Sequence, residues 1–284
     1  MPRVYPAYAK INLGLHILGK RTDGYHEIET IFHYVQLHDE IWFTPSDAIA
    51  VTSSDPEAPG DETNLGYKAA ALLRQCLRVD DGVRVHIRKG IPVGAGLGGG
   101  SSDAATVLKT LPGFWNRPLP REEIREIALA LGSDVPFFLG SESAYATGRG
   151  EILESFPLEL PYSILICFPG VHVSTAWAYA QLDLRPLHPQ PSLRRVVAEG
   201  ITGGAMLSGA LTNDFEPVVF EKFPAIGDVK RTILAGGAQF AAMTGSGSAV
   251  YGLFSDSLVA KHTEETLRQQ GYATSLTPPH FTPA

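Results

Sequence analysis

Cysteine is scarce in this chain: only Cys76 and Cys167 occur among 284 residues, far apart and each inside an apolar run. That excludes a disulfide-stapled scaffold, and both thiols read as small buried hydrophobes rather than as a bridge or a reactive site. Basic residues are also in deficit, with 23 Lys and Arg against 30 Asp and Glu and a net charge of −7. Broad binding to nucleic acid or to an anionic membrane surface needs clustered Lys and Arg, and this balance argues against both. No apolar stretch approaches the roughly 20 residues that span a bilayer. The N-terminal stretch, a strand-like run with Lys10 early in it, lacks the pattern of a secretory leader. A cytoplasmic location is expected. Internal repeats and low-complexity tracts are missing as well. What is present, 44% apolar and 19% charged residues, is the balance of a soluble globular enzyme, in a chain long enough for two halves of ordinary domain size.

Hydrophobic patterning predicts an α+β protein. Arg3 to Leu18 alternates as a strand and ends in the turn cluster Gly19–Gly24; strand-like runs follow at His26–Leu37 and Asp39–Thr44. After a Pro/Asp/Gly loop at Ser53–Gly60, apolar residues at helical spacing (Leu65, Ala69, Leu72, Leu73, Cys76) predict a helix from Asn64 to Leu77. Val83–Ile87 alternates as a strand, Ser102–Leu111 and Arg121–Leu131 read as helices, and Ser143–Thr147 and Tyr162–Phe168 as strands. The Pro157–Pro161 segment is the expected boundary, giving domains 1–158 and 159–284. Pro186–Pro191 reads as a surface loop, and beyond it helices alternate with the strand pair Gln239–Thr244 and Ala249–Phe254. His33 and His38, five residues apart in alternating runs, face opposite ways and read as structural rather than as a metal pair.

The richest stretch runs from Pro92 to Ala105, Pro-Val-Gly-Ala-Gly-Leu-Gly-Gly-Gly-Ser-Ser-Asp-Ala-Ala, between a strand and a helix. Glycine lets a ligand approach the main chain, and free N–H groups leading into a helix N-terminus cradle anions, a polyphosphate above all. A P-loop would need lysine where Gly100 stands, so that rival fails. Gly94-x-Gly96-x-x-Gly99 fits a dinucleotide fingerprint literally, yet the distance at which an acidic residue is required lands in the turn-like Phe114–Pro120. A protein-kinase loop lacks its downstream His-Arg-Asp and Asp-Phe-Gly partners.

Three segments in order resemble the motifs of the GHMP small-molecule kinases: Ala7–Leu15 the first, Pro92–Ala105 the second and Met243–Gly252 the third. Within that family, Lys10-Ile11-Asn12 with Arg21–Ile28, Asp61–Leu65, Gly132–Phe138 and Asn213–Glu216 is similar to members acting on a cytidine diphosphate-linked polyol, and this likeness covers nearly the whole chain. The resemblance implies a two-domain α+β fold, an N-terminal ribosomal-protein-S5-like domain and a C-terminal ferredoxin-like sandwich, with the active site in the cleft between them. It implies ATP as co-substrate with Mg²⁺, small-molecule partners only, no nucleic acid or membrane, and a monomer or homodimer.

The same resemblance distributes roles over named residues. Asp134 becomes the base that takes the acceptor hydroxyl's proton; read alone it is equally a helix N-cap before Pro136. Lys10 would pair with Asp134 and neutralise charge on the γ-phosphate, or else is a solvated strand-edge lysine. Asn12 orients the alcohol end or is a bulge residue. Tyr25 and Tyr179 become stacking faces for cytosine and His26 its hydrogen-bonding reader, where a Tyr-His pair by itself is more often structural. Phe32 lines that pocket or belongs to the core, and Gly245 and Ser246 of the third motif join the substrate side. Asn64, Leu65, Lys89, Ile91 and Pro92 match the adenine side; Gly94, Gly96, Leu97, Gly98, Gly99, Gly100, Ser101 and Ser102 cradle the phosphates, with the Ser102 hydroxyl facing Mg²⁺. Homoserine kinase is the alternative within the family, and a dinucleotide-dependent oxidoreductase the alternative outside it.

Overall fold

The computed structural model describes residues 2–182, 192–195 and 211–283; the expected loop at Pro186–Pro191 lies outside them. The chain forms two compact units interleaved in sequence, the first from Met1–Ala9, His38–Val93 and Gly98–Ser141, the second from Lys10–Leu37, Gly94–Leu97 and Glu142–Ala284. Two long strands, β1 (Tyr5–Lys20) and β2 (His26–Ser46), contribute residues to both.

In the first unit the C-terminal half of β2 pairs antiparallel with β4 (Gly82–Arg88), from Glu40 opposite Arg88 to Ser46 opposite Gly82. Strand β3 (Ala50–Ser53) adds to β4 in parallel. Helices α1 (Leu65–Leu77), α2 (Gly99–Phe114) and α3 (Arg121–Leu131) and a 3₁₀ turn (Val135–Leu139) complete the unit. Helix α1 starts where predicted because Asn64 caps it, its Oδ1 accepting from Gly66 N at 2.8 Å. The break expected near His38 does not occur: β2 runs through Asp39, a fully buried carboxylate whose Oδ1 accepts from Gly90 N at 2.7 Å and Ile91 N at 2.8 Å. A charge so satisfied can sit inside a strand. Cys76 corrects another expectation. It is exposed, its Sγ lying 3.8 Å from Glu123 Oε2, because α1 buries the stripe Gly66, Ala69, Ala70 and Leu73 and turns position 76 outward. Cys167 is buried as expected.

In the second unit the N-terminal half of β2 pairs with β5 (Ser143–Thr147), and β5 with β6 (Ile152–Phe156). Strand β7 (Ser163–Phe168) then leads through α4 (Thr175–Leu182), α5 (Glu216–Lys222) and α6 (Pro224–Ala235) to β8 (Phe240–Met243). Strand β9 (Val250–Phe254), α7 (Ser257–Gln269) and β10 (Ala273–Thr277) follow. The antiparallel sheet order β10-β7-β9-β8 with this chain order is the β-α-β-β-α-β ferredoxin-like arrangement. Strands β7 and β9 are central and packed on both faces, so they read as unbroken apolar runs rather than as alternating ones. Leu165, Ile226, Val229, Ile233, Val250 and Leu267 form the middle of this core, each burial contributing about 1.5–3 kcal/mol.

His33 sits inside the second unit with its Nδ1 2.7 Å from Ser143 Oγ, and burial pushes its imidazole from 6.5 down to about 4. Between those values the unfolded chain binds a proton that the folded chain refuses. Stability therefore falls as pH falls from 6.5 towards about 4, by at most about 1.4 kcal/mol per pH unit from this group. His33→Asn is expected to flatten that part of a plot of urea midpoint against pH. An unchanged slope in the variant would show that other groups set it.

Candidate active site

Three distant segments of the second unit meet around Lys10. Its main-chain N–H donates to Leu97 O at 3.0 Å, and its Nζ donates to Asn12 Oδ1 at 2.7 Å and to Gly96 O at 3.1 Å. The ammonium also lies 5.1 Å from the centre of the Phe32 ring, a cation–π contact. At 4% exposure Lys10 is not a solvated edge residue. Asn12 is equally buried: Nδ2 donates to Thr30 Oγ1 at 2.9 Å, and its main-chain N–H donates to Thr244 Oγ1 at 3.0 Å. The amide of Asn12 thus acts as a holder for Lys10. Phe32 belongs to the buried core and to this cluster at once.

The third motif closes on the second. Ala249 N donates to Ala95 O at 3.1 Å, and a methyl group at Gly96 (φ +79°) would sit 2.3 Å from Thr244 O. Asn213 braces the turn from behind, its Nδ2 donating to Met243 O at 2.7 Å and Gly245 O at 2.9 Å. Ser246 Oγ is 2.8 Å from Thr175 Oγ1. A Gly96→Ala variant combines the left-handed backbone, worth about 1–2 kcal/mol against a non-glycine residue, with displacement of Thr244. It is expected to raise KM for ATP at least about tenfold, which initial rates against ATP concentration will check.

The loop has left-handed glycines at alternate positions, Gly94 (φ +68°), Gly96 (φ +79°) and Gly98 (φ +73°), the last being the N-cap of α2. Such alternation turns successive N–H groups to one side, and the helix that follows offers more: the first intrahelical bond is Ser102 N to Gly98 O. The N–H groups of Gly99, Gly100 and Ser101 are therefore left for an anion. Helix α2 begins three residues before the predicted Ser102 because Gly99–Ser101 form its first turn.

Within the first unit Lys89 is clamped between two buried carboxylates, bonding to Asp39 Oδ2 and, at 3.1 Å, to Asp103 Oδ2. Burial drives the Asp103 carboxyl up to about 8 despite the Lys89 charge, while Lys89 itself lies above the ordinary value. For Lys89, burial alone would lower the ammonium, and the charges of Asp103 and Asp39 outweigh it. Ile91 is buried beside them, and Leu65 Cδ1 lies 3.7 Å from where a methyl group at Gly100 would be. Ser102 is buried and its hydroxyl donates to Tyr8 O at 2.7 Å, which leaves the oxygen lone pairs available. Among the described residues no group of three His, Cys, Asp or Glu could hold a metal ion. Any Mg²⁺ here would have to arrive with the nucleotide and keep water and phosphate oxygens as most of its ligands. Asp134 occupies the N-cap position of the 3₁₀ turn before Pro136, as its alternative reading had it, but its side chain makes no capping hydrogen bond.

The aromatic residues lie in the second unit. His26 stacks on Tyr179 at 4.6 Å and 17°, and Tyr179 meets Phe215 edge-on at 4.9 Å. Tyr25 is 56% exposed, with the Arg149 guanidinium 4.7 Å above its ring. Thr244, Asn213, Asp39 and Thr30 were missed as site residues. Each works through a partner 16 to 232 residues away; the third motif contains Thr244 and the Asn213–Glu216 likeness contains Asn213, but neither pointed to these contacts.

Comparison with known proteins agrees with this construction. The GHMP kinases N terminal domain family matches residues 64–142 and the GHMP kinases C terminal family residues 197–273. A protein of Chlorobium luteolum named 4-diphosphocytidyl-2-C-methyl-D-erythritol kinase is 47% identical over 280 residues, 97% of this chain and 96% of its own. A crystal structure of 4-(cytidine 5'-diphospho)-2C-methyl-D-erythritol kinase superposes with a TM-score of 0.81 at 34% identity, covering 97% of this chain and 98% of that one. The Methanococcus jannaschii mevalonate kinase, at 16% identity and a TM-score of 0.74 over 98% of both chains, shares the fold. With both family domains matched in order and its motifs joined at Lys10, this chain belongs to the GHMP kinases.

Proposed function

We propose that this kinase transfers the γ-phosphoryl group of ATP to the 2-hydroxyl of 4-diphosphocytidyl-2-C-methyl-D-erythritol, a step of the non-mevalonate isoprenoid precursor pathway. The observation that carries the chemistry is the buried ammonium of Lys10, held by Asn12 Oδ1 and Gly96 O beside the glycine loop. The acceptor is drawn from the relatives that bear its name at 47% and 34% identity over nearly the full chain.

The 2-hydroxyl oxygen attacks the γ-phosphorus, its proton passes to Asp134, and the bond from the γ-phosphorus to the β,γ-bridging oxygen breaks to release ADP. Phosphoryl transfer asks mainly for positioning and charge stabilisation. Gly94 to Ser101 supply main-chain N–H donors to the polyphosphate, and Lys10 compensates the negative charge on the transferred group. Asn64, Leu65, Lys89, Ile91 and Pro92 take the adenine side. Ser102 would hold a Mg²⁺ carried by the nucleotide, an ion that supplies charge neutralisation between phosphates. Tyr25, His26 and Tyr179 take the cytosine, Asn12, Phe32, Gly245 and Ser246 complete the acceptor side. The His26–Tyr179 stack fixes the planes of both rings.

Two domains at 1–158 and 159–284 accompany this reading, the two family matches falling on either side of that boundary. A cytoplasmic monomer or homodimer fits an enzyme that consumes ATP and in which no described helix is long and apolar enough to cross a membrane. ADP release coupled to pyruvate kinase and lactate dehydrogenase, with the cytidine substrate as acceptor, tests the proposal. Turnover is expected only with that acceptor. No turnover with it, or turnover with homoserine instead, overturns the substrate assignment.

A further inference from the structure

Four residues that none of the motifs contains, Ser192 to Arg195, sit against the hairpin that carries Lys10. Three of their side chains are individually received. Ser192 Oγ donates to Glu29 Oε1 at 2.6 Å, and the Leu193 main-chain N–H donates to the same carboxylate. Leu193 is fully buried and covers Gly14, where a methyl group would sit 2.7 Å from its Cδ2. Arg194 lies 5.0 Å above the Tyr145 ring and pairs with Glu154, while Tyr145 OH donates to Glu29 Oε1 at 2.7 Å. Everything converges on Glu29, a carboxylate in β2 with 4% exposure. Burial alone would raise that carboxyl, yet hydrogen bonds from Ser192, Tyr145 and Leu193 together with nearby His16 hold it below the ordinary value. It is a built receptor for an ionised side chain.

The receptor is connected to the active site through few bonds. Gly14 lies within β1 in the left-handed region, φ +75°, and its carbonyl accepts from Thr30 Oγ1 at 2.6 Å. Thr30 Oγ1 in turn accepts from Asn12 Nδ2, and Asn12 Oδ1 accepts from Lys10 Nζ. Thr30 is also the immediate neighbour of Glu29 in β2. Thr30 bonds the Gly14 carbonyl and Leu193 packs over the same residue, so loss of Leu193 frees Gly14 to shift and Thr30 with it.

We infer that Ser192, Leu193 and Glu29 are positioning residues for the phosphoryl transfer, clipping β1 at Gly14 so that Thr30 and Asn12 hold the Lys10 ammonium in place. The inference rests on the role proposed above for Lys10. Its test therefore needs a readout that does not require turnover.

Trace acetylation with limiting acetic anhydride, followed by peptide mass spectrometry, reports the reactivity of each lysine in the folded protein. Lys89, in the first unit with its side chain 7% exposed and bonded to Asp39 and Asp103, is the internal control for global loosening. Leu193→Ala and Glu29→Ala are expected to raise labelling at Lys10 severalfold with Lys89 unchanged. They should also lower kcat about tenfold with KM for ATP within about a factor of two. Glu29→Gln retains a carbonyl oxygen for Ser192 and Tyr145 and should restore most of both losses. If Leu193→Ala fails to fold, Ser192→Ala removes a single hydroxyl and carries the same measurement at smaller amplitude. Wild-type labelling and kcat in soluble Leu193→Ala and Ser192→Ala would overturn the inference. Should Lys10→Ala keep full activity while Leu193→Ala still exposes Lys10, the role given to Lys10 falls and the clip stands.

Discussion

Asp134→Ala is expected to lower kcat by about 10²- to 10⁴-fold, the range over which a positioned acid or base contributes, with KM for both substrates little changed. The backbone there is ordinary, φ −81° and ψ −19°, a conformation that alanine adopts without strain. Thermal unfolding should show a melting temperature close to that of the parent. Asp134→Asn separates two ways a carboxylate can act. The amide preserves shape and can still orient the acceptor hydroxyl, but it cannot take a proton. Equal losses in Asn and Ala variants mean that proton acceptance dominates. A much milder loss in Asn means that orientation does, as a loose transition state with little bond formation to the nucleophile would allow. Retention of a third or more of parental kcat by Asp134→Ala would remove the residue from the chemistry altogether.

The parts of the site that were legible in the sequence share one property: their work is done by the residues next to them. The glycine loop is such a case, since Gly94, Gly96 and Gly98 need only their own left-handed backbones to turn N–H groups to one side. Asn64 at the start of α1 is another, because a cap acts two residues away. The same locality made β4, β5, β7, α1 and α3 readable from periodicity. Of the short edge strands, β8 was, being buried along its whole length, and three others were not. Strands β3, β6 and β10 each have four or five residues and a partner on one side only, so no alternating core face is imposed on their sequences. Nor were the groups that hold others in place. Thr244 meets Asn12 across 232 positions and Asn213 meets Gly245 across 32. Asp39 looks like a strand breaker until the N–H groups of Gly90 and Ile91 are seen to point at it. Cys76 shows the reverse error, a helical spacing that was right and a face that was assigned one position too wide. Pattern gives the period of a helix. It does not give the width of the groove that receives it.

Lys10→Met is expected to cost about 10²- to 10³-fold in kcat, the loss seen when one preorganised electrostatic donor is removed from a site where negative charge accumulates. Methionine preserves the unbranched stem and the contact with Phe32, so packing is nearly conserved. The variant leaves Asn12 Oδ1 and Gly96 O without the ammonium they accept from at 2.7 and 3.1 Å. Unmet acceptors of this kind cost about 1–3 kcal/mol when buried. Asn12 Oδ1 recovers part of that by taking the Thr244 hydroxyl, already 3.2 Å away. The fold should survive with a modestly lower melting temperature. KM for ATP should rise only a few-fold, because the main-chain donors of the glycine loop remain and the role proposed for Lys10 is to stabilise the transferred group rather than the bound nucleotide. Lys10→Arg is expected to rescue poorly. Its planar fork cannot place a single nitrogen between Asn12 and Gly96 in a pocket closed by Phe32. Full rescue by arginine would mean that net charge alone is required and that the geometry built by Asn12, Thr30 and Thr244 is not. A rise in KM for ATP as large as the fall in kcat would place the ammonium on the ground-state nucleotide, not on the phosphoryl group in flight.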